Sequence, residues 1–240
     1  MNFGIIAAGE GSRLAQEGVE RPKPLVDLNG EPMIGRLIHI FESLGAGRVS
    51  VIVNEQMTEV ADYLRTLAPQ LAMPMDLVVK STPSSMHSFY ELGGLLRPHG
   101  RFILTTVDTI FRADDFRRYV DAFSAAPAGV GAMMAVTSYI DDEKPLYVAT
   151  DEEMHVKAFL DTATDTEGKE ARYVSGGIYG LDTRAIDVLT DCMERGVSRM
   201  RNFQRALVAS GLDVRAFDMG KIMDVDHASD IIKAKQFING

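Results

Sequence analysis

Two groups of residues in this chain have the types and spacing for phosphate chemistry. The first is Gly9-Glu10-Gly11-Ser12-Arg13-Leu14, directly after the apolar run Phe3-Gly4-Ile5-Ile6-Ala7-Ala8, with Pro22-Lys23-Pro24 following ten residues later. Glycines at such a bend can take φ > 0 and let backbone N–H groups approach a phosphate with no side chain in the way. Arg13 would add a bidentate fork and Lys23 a point charge, the latter in a loop stiffened by proline on both sides. Neither common phosphate fingerprint is complete, because Leu14 stands where the dinucleotide-binding pattern and the P-loop each need a glycine. A plain turn with a solvated Arg13 is the bland alternative.

The second group is acidic. Asp108 lies just past the run Arg101–Thr106, and Asp224 and Asp226 stand just before a helical stretch at the C-terminal end. An Asp beyond the carboxyl end of a central parallel strand points into the crevice where open α/β sheets bind ligands. In a strand, Asp224 and Asp226 would share a face. Together the acids could offer oxygen ligands to a metal ion. Against that, Asp is a common turn residue, and Asp226 is well placed to be the N-cap of the last helix.

These residues need a frame, and the pattern supplies one. The short unbroken apolar run at 3–8 reads as a strand buried on both faces, and 49–53, 75–79, 101–106 and 130–136 read as further strands. Helical spacing at 33–44, 57–67, 86–96 and 113–123 separates them. Five alternations imply right-handed crossovers and a mostly parallel, Rossmann-like sheet. Beyond about residue 137 the order changes. Residues 146–150 and 154–159 predict an antiparallel pair, 161–170 an exposed loop, and 173–181 a strand despite three glycines. Helices are expected at 183–193, 200–210 and 227–237, and a strand at 214–218. We expect one domain over 1–240, with 1–136 binding nucleotide and 137–240 forming an inserted antiparallel, acceptor-facing layer and the last helix.

Composition removes several classes. With 240 residues, 46% of them apolar and 25% charged, the chain can bury a core without staples. One Cys, Cys192, excludes a disulfide framework or a Cys-rich zinc site and suits a cytoplasmic protein. It has no His or Asp beside it, and the five His do not cluster, so His87 and His227 read as hydrogen-bonding residues. No run is long and apolar enough for a membrane span, and no signal-peptide pattern opens the chain. A net charge of −9 argues against a nucleic-acid partner but not against a small anion held by a local cationic cluster.

At this point the residues resemble a known family. Ile5-Ile6-Ala7-Ala8-Gly9-Glu10-Gly11-Ser12-Arg13-Leu14, then Pro22-Lys23-Pro24-Leu25 and Asn29-Gly30-Glu31-Pro32-Met33, is similar to the signature of sugar-1-phosphate nucleotidyltransferases. The resemblance implies a three-layer α/β/α fold of the nucleotide-diphospho-sugar transferase type. It implies a nucleoside triphosphate held by Ala7, Ala8, Gly9, Gly11 and Ser12, with Arg13 and Lys23 as the catalytic cations. Mg²⁺ would sit between Asp108 and a second acid, Asp226 or Asp224. The base loop would fall on Ser84, Ser85 and Ser88, a glycine-free pattern closer to the choline-phosphate type, which favours CTP over UTP, dTTP or GTP. The strand Ser175-Gly176-Gly177-Ile178-Tyr179 would flank a phosphorylated small-molecule acceptor through Gly176, Gly177 and Tyr179.

One departure stands out. Members usually carry Phe-x-Glu-Lys-Pro upstream of that strand, and here Lys157-Ala158-Phe159-Leu160-Asp161 has no Lys in register, leaving Lys157 or Lys169 as substitutes. The expectation is a Mg²⁺-dependent nucleotidyltransferase acting on a sugar-1-phosphate, with phosphocholine or a similar phosphate as the alternative acceptor. A non-catalytic nucleotide sensor is the competing class, and the intact set of Arg13, Lys23, Asp108 and Asp226 speaks against it. A glycosyltransferase would want Asp-x-Asp, which Asp108-Thr109-Ile110 lacks. A homo-oligomer is left open.

Overall fold

The computed structural model describes residues 1–164 and 170–239. In chain order the elements are β1 (Asn2–Ala7), α1 (Ser12–Gln16), β2 (Asp27–Leu28), β3 (Glu31–Pro32), α2 (Met33–Ser43), β4 (Arg48–Val53), α3 (Thr58–Leu67), β5 (Met75–Val79), α4 (Ser85–Leu96), β6 (Phe102–Thr106), β7 (Thr109–Ile110) and α5 (Ala113–Ala125). There follow β8 (Val130–Thr137), β9 (Tyr147–Thr150), β10 (Val156–Leu160), β11 (Tyr173–Leu181), α6 (Thr183–Glu194), α7 (Met200–Ala209), β12 (Asp213–Asp218), β13 (Met223–Asp224) and α8 (Ala228–Asn239).

The main sheet runs β5-β4-β1-β6-β11-β8-β12. β1, β4, β5 and β6 pair in parallel, as do β8 and β12. β11 alone runs against its neighbours in this row, wedged between β6 and β8. The β9–β10 pair joins the first residues of β11 through Tyr173 and Val174. The expected mostly parallel sheet with an antiparallel layer is therefore the observed fold.

Helices cover both faces at the centre of the sheet, which is why its central strands β1, β6 and β8 are largely apolar and buried. Phe3, Ile5 and Ala7 of β1 pack with α2, α3 and α5, while Ile6 and Ala8 face α4, α6 and α7. A third, smaller cluster matters more for the site. Leu14, Val26, Leu28, Met33, Met223, Val225 and Ala234 pack together, tying the segment after the glycine loop to β13 and α8. Each such buried aliphatic side chain is worth about 1.5–3 kcal/mol, so the two ends of the chain are held together firmly.

Several short elements escaped the sequence reading. α1 has only five residues, and the pairs β2–β3 and β7–β13 have two residues per strand, too few for periodicity to register. The exposed loop expected at 161–170 holds for 161, 162, 164 and 170, residue 163 is half-buried, and 165–169 lie outside the described residues. The expectation that Asp224 and Asp226 share one strand is corrected. β13 ends at Asp224, and Asp226 lies beyond it.

Candidate active site

The carboxyl ends of β1, β4, β5 and β6 open onto a cavity of about 670 Å³, the position that open α/β sheets use for ligands. The glycine loop forms one wall. Gly11 is the residue that requires glycine: its φ is 62°, and an added Cβ would lie 2.9 Å from Lys23 Cβ. Gly9, in contrast, has open space in front of it. Ala8, Gly9, Gly11 and Ser12 line the cavity, while Ala7 is buried in the core beneath it. The prolines beside Lys23 hold a single turn of 3-10 helix and aim its side chain inward.

Lys23 ties the acids together. Its Nζ lies 2.6 Å from Asp108 Oδ2 and 2.7 Å from Asp226 Oδ1, and Arg13 donates to the other oxygen of Asp226 at 2.9 Å. Four of the residues singled out from sequence thus meet at one point. The backbone helps set their spacing, since Val225 N–H donates to the carbonyl of Asp108 at 3.1 Å. Asp226 is free to face the cleft because others cap α8. Asp230 accepts from the N–H groups of Asp226 and His227, and Glu17, just past α1, accepts from that of Ala228 at 2.7 Å. The capping role considered for Asp226 therefore belongs to Asp230 and Glu17.

The charges are mutually adjusted. Desolvation works against the Lys23 ammonium, but the carboxylates of Asp108 and Asp226 outweigh it and raise its pKa above the usual lysine value. Burial would lift Asp108, and the adjacent Lys23 overrides that and lowers it. Asp224 has no such partner. Its surface reaches the cleft, yet crowding by protein and then the charges of Asp108 and Asp226 hold its carboxyl well above the ordinary range. Two hard carboxylates within 2.7 Å of a single nitrogen, with a third close enough to be raised by their charge, suit a small oxygen-seeking cation such as Mg²⁺. Asp108 and Asp226 are the pair that could hold it.

A second cavity, about 320 Å³, adjoins the first. The two share Ser85, Thr106 and Asp108. β11 forms its wall through Ser175, Gly177 and Tyr179. Gly177 has φ 71° at the point where the β11–β8 register slips, and a Cβ there would meet Thr109 Oγ1 at 2.6 Å. The two glycines therefore mark a bulge. Burial, then the charges of Asp224 and Asp108, push the Tyr179 hydroxyl above its ordinary pKa. Gly176 faces a third, small cavity on the Arg13–Asp226 side.

The serines occupy three different settings. Ser84 stands at the N-cap of α4, but its hydroxyl meets His87 Nδ1 at 2.8 Å and makes no capping bond. Ser88 is buried against Thr82, 2.6 Å between hydroxyl oxygens. Ser85 lies where the two larger cavities meet. Lys157 falls outside this arrangement. It pairs with Asp151 at 2.7 Å near the β9–β10 turn and lines none of the three cavities. Asp151, Glu153 and His155 at that turn are the only three-residue metal-type cluster among the described residues, and Asp151 there already accepts from the N–H groups of Glu153 and His155. Lys169 lies outside the described residues. Cys192 is buried on α6, with its thiol pKa raised by burial, as an inert residue would be.

Sequence reasoning passed over Asn54 and Gln56 after β4, and Lys144, Arg199, Arg201 and Gln204 around the smaller cavity. Asn54 could have been found, since it follows an apolar strand as Asp108 does. Its carbonyl oxygen accepts from Ser81 at 2.8 Å and so joins two loops of the larger cavity.

Comparison with known proteins gives this cleft its context. Residues 4–172 match the MobA-like NTP transferase domain. The chain belongs to that family. Among curated relatives, a bifunctional protein GlmU from Methanocaldococcus jannaschii is 22% identical over 239 residues, covering 98% of this chain and 53% of its own. A 2-aminoethylphosphonate cytidylyltransferase from Lancefieldella rimae is 38% identical over 69 residues, 29% of this chain and 28% of its own. The chain spans about half the length of the GlmU relative. Among solved structures, a putative glucose-1-phosphate thymidylyltransferase from Bacillus anthracis superposes with a TM-score of 0.81 at 20% identity, covering 98% of this chain and 94% of the other. The inositol-1-phosphate CTP transferase from T. maritima gives 0.78 at 17% identity, with 99% and 96% covered. These two share the fold of this member of the MobA-like family. No helix among the described residues is long and apolar enough to cross a membrane.

Proposed function

We propose that the chain is a Mg²⁺-dependent nucleotidyltransferase that joins a nucleoside monophosphate from a triphosphate to a small phosphorylated acceptor, most simply a sugar-1-phosphate, and releases pyrophosphate. One observation carries this reading. A larger and a smaller cavity meet at Asp108, where Lys23, Asp226 and Arg13 converge. The triphosphate lies in the larger cavity against the glycine loop, in residues 1–136, and the acceptor lies against β11, in residues 137–240.

In the reaction an oxygen of the acceptor phosphate attacks the α-phosphorus. A new O–P bond forms as the bond from that phosphorus to the bridging oxygen of pyrophosphate breaks, and no protein nucleophile is needed. Arg13 forks onto phosphate oxygens, and Lys23, always charged at physiological pH, supplies donors at the junction. Mg²⁺, when held by Asp108 and Asp226, neutralises charge on the phosphates. Holding both reactants in line supplies much of the remaining rate. The raised pKa of Lys23 means that its charge persists as pH rises past the ordinary lysine value, so activity is not lost through Lys23 in the neutral range.

CTP is the favoured donor. Ser81, Thr82, Ser84, Ser85 and Ser88 line the larger cavity in a stretch without a glycine, where the base would lie, and the cytidylyltransferase and CTP transferase among the similar proteins support that choice. The lone buried Cys192 supports a cytoplasmic setting. The test is pyrophosphate release from CTP, UTP, dTTP and GTP, each crossed with glucose-1-phosphate, inositol-1-phosphate, phosphocholine and 2-aminoethylphosphonate, with Mg²⁺ present. CTP with a sugar phosphate should give the highest rate. Tight nucleotide binding with no release from any pair would make the protein a sensor instead.

A further inference from the structure

The acceptor cavity contains cations that the proposed reaction has so far left unused. Lys144 reaches it from the segment before β9, and Arg199 and Arg201 reach it from the start of α7. Arg201 is already committed. It donates to Asp161 at 2.6 Å and to the carbonyl of Lys144 at 3.1 Å, bracing the Lys144 segment against α7. The side chains of Lys144 and Arg199 have no hydrogen bond or ion pair among the described residues, although most other cations around the cleft are paired.

Arg199 is conspicuous for a second reason. Its backbone stands at φ 73°, ψ 137°, a region that an L-residue with a Cβ avoids. Glycine would take this position without strain, as Gly196 does at φ 69° three residues earlier. The carbonyl of Arg199 accepts from the N–H groups of Asn202 and Phe203, which any residue could do. Nothing in the packing therefore accounts for an arginine here, whereas a ligand in the cavity would.

Three acids also line this cavity, and the two cations must outweigh them there. The charge of Asp108 is met by Lys23 at 2.6 Å, and Asp142 and Asp224 lie at the border shared with the small third cavity. We infer that Lys144 and Arg199 together grip the phosphate or phosphonate group of the acceptor and present its oxygen toward Asp108 and the α-phosphorus. This inference rests on the nucleotidyl-transfer reading for the identity of its ligand. It makes a dianionic R–PO₃ group the required feature of the acceptor and leaves the rest of that molecule to β11. Arg199 and Lys144 thus take the place that Lys157 was expected to fill.

The experiment compares Arg199→Gly, Arg199→Lys and Lys144→Ala with the wild type. In pyrophosphate release, Arg199→Gly and Lys144→Ala should each raise the acceptor KM by about 10- to 100-fold, the loss expected for one charge-assisted hydrogen bond. The nucleotide KM should stay within about twofold, and Arg199→Lys should recover part of the loss, since it keeps the charge but loses the fork. Arg199→Gly should melt no lower than the wild type because it relieves the backbone, which separates lost binding from lost folding. An acceptor KM unchanged in Arg199→Gly, or acceptor and nucleotide KM rising together, would overturn the inference while leaving nucleotidyl transfer intact. Calorimetric titration with glucose-1-phosphate covers the case in which no pair turns over. Binding to the wild type that weakens at least tenfold in Arg199→Gly would uphold the grip and reject the reaction. Equal binding, or none to the wild type, would reject the grip.

Discussion

The two sides of the cleft hold their cations by opposite means. On the glycine-loop side the cation is partly buried and doubly paired, Lys23 between Asp108 and Asp226, and the positive φ falls on Gly11. On the β11 side the cations Lys144 and Arg199 are unpaired among the described residues, and a positive φ falls on an arginine as well as on Gly177. The first side is balanced and relaxed before any ligand arrives. The second keeps free charge and backbone strain in reserve, and a ligand would resolve the charge. A rigid, self-neutralised wall suits the triphosphate, whose shape is constant, and an open one suits the partner that differs between enzymes of this kind.

The largest expected effects break the glycine-loop side. Lys23→Ala and Asp108→Asn should each lower turnover at least about a hundredfold, the order lost with one transition-state donor, as read from pyrophosphate release. Near-normal rates in both would mean that the junction is not where transfer occurs. Lys23→Ala should also cost about 2 kcal/mol in denaturant unfolding. That is less than for a fully buried pair, because the Asp226 side chain is 37% exposed.

A mirrored exchange of backbone comes next. Gly11→Ala should destabilise by about 1–2 kcal/mol, because it forces a Cβ into the left-handed region and against Lys23. Arg199→Gly should show no such loss in the same melting assay. Equal destabilisation by the two would erase the contrast. A smaller effect distinguishes the acids. Asp226→Asn should shift the Mg²⁺ concentration for half-maximal rate by about tenfold or more, a typical cost of losing one ligand-shell group, and Asp224→Asn should shift it less.

The smallest effect is electrostatic. His227 Nδ1 lies 2.5 Å from Glu17, and that hydrogen bond raises the imidazole pKa above 6.5 and lowers that of the carboxyl. The stabilisation from this pair is complete between about pH 4.5 and 6.5, fading as pH rises through the raised His227 value and as it falls through the lowered Glu17 value. Glu17→Gln should bring the His227 titration, followed by NMR, back down toward 6.5. A titration left unmoved would show that Glu17 is not what perturbs it.

How much of this was legible in the sequence follows from contiguity. Met75–Val79 was readable to the residue because Pro74 on one side and Lys80-Ser81-Thr82-Pro83 on the other bound a mainly apolar stretch. Gly9 to Pro24 was readable because all its parts lie within sixteen positions. Asp226 could be named but not separated from a helix cap, because what frees it are Asp230, Glu17 and the bond from Val225 to Asp108, more than a hundred residues away. Lys157 was misjudged because its side chain is claimed by Asp151 across a turn. Lys144 and Arg199 carried no local signal at all, since a charged residue in a loop looks the same whether or not a cavity lies beneath it.

The reversed direction of β11 has a consequence for how the acceptor wall can change. Because it runs against β6 and β8, it brings its own body, and not a loop beyond its end, to the ligand edge. Ser175, Gly177 and Tyr179 stand there two residues apart, like marks on a ruler. Such a wall can be reshaped one side chain at a time while the hydrogen-bonded frame stays still. An enzyme built this way can drift from one acceptor to another in single steps, without ever having to rebuild a loop.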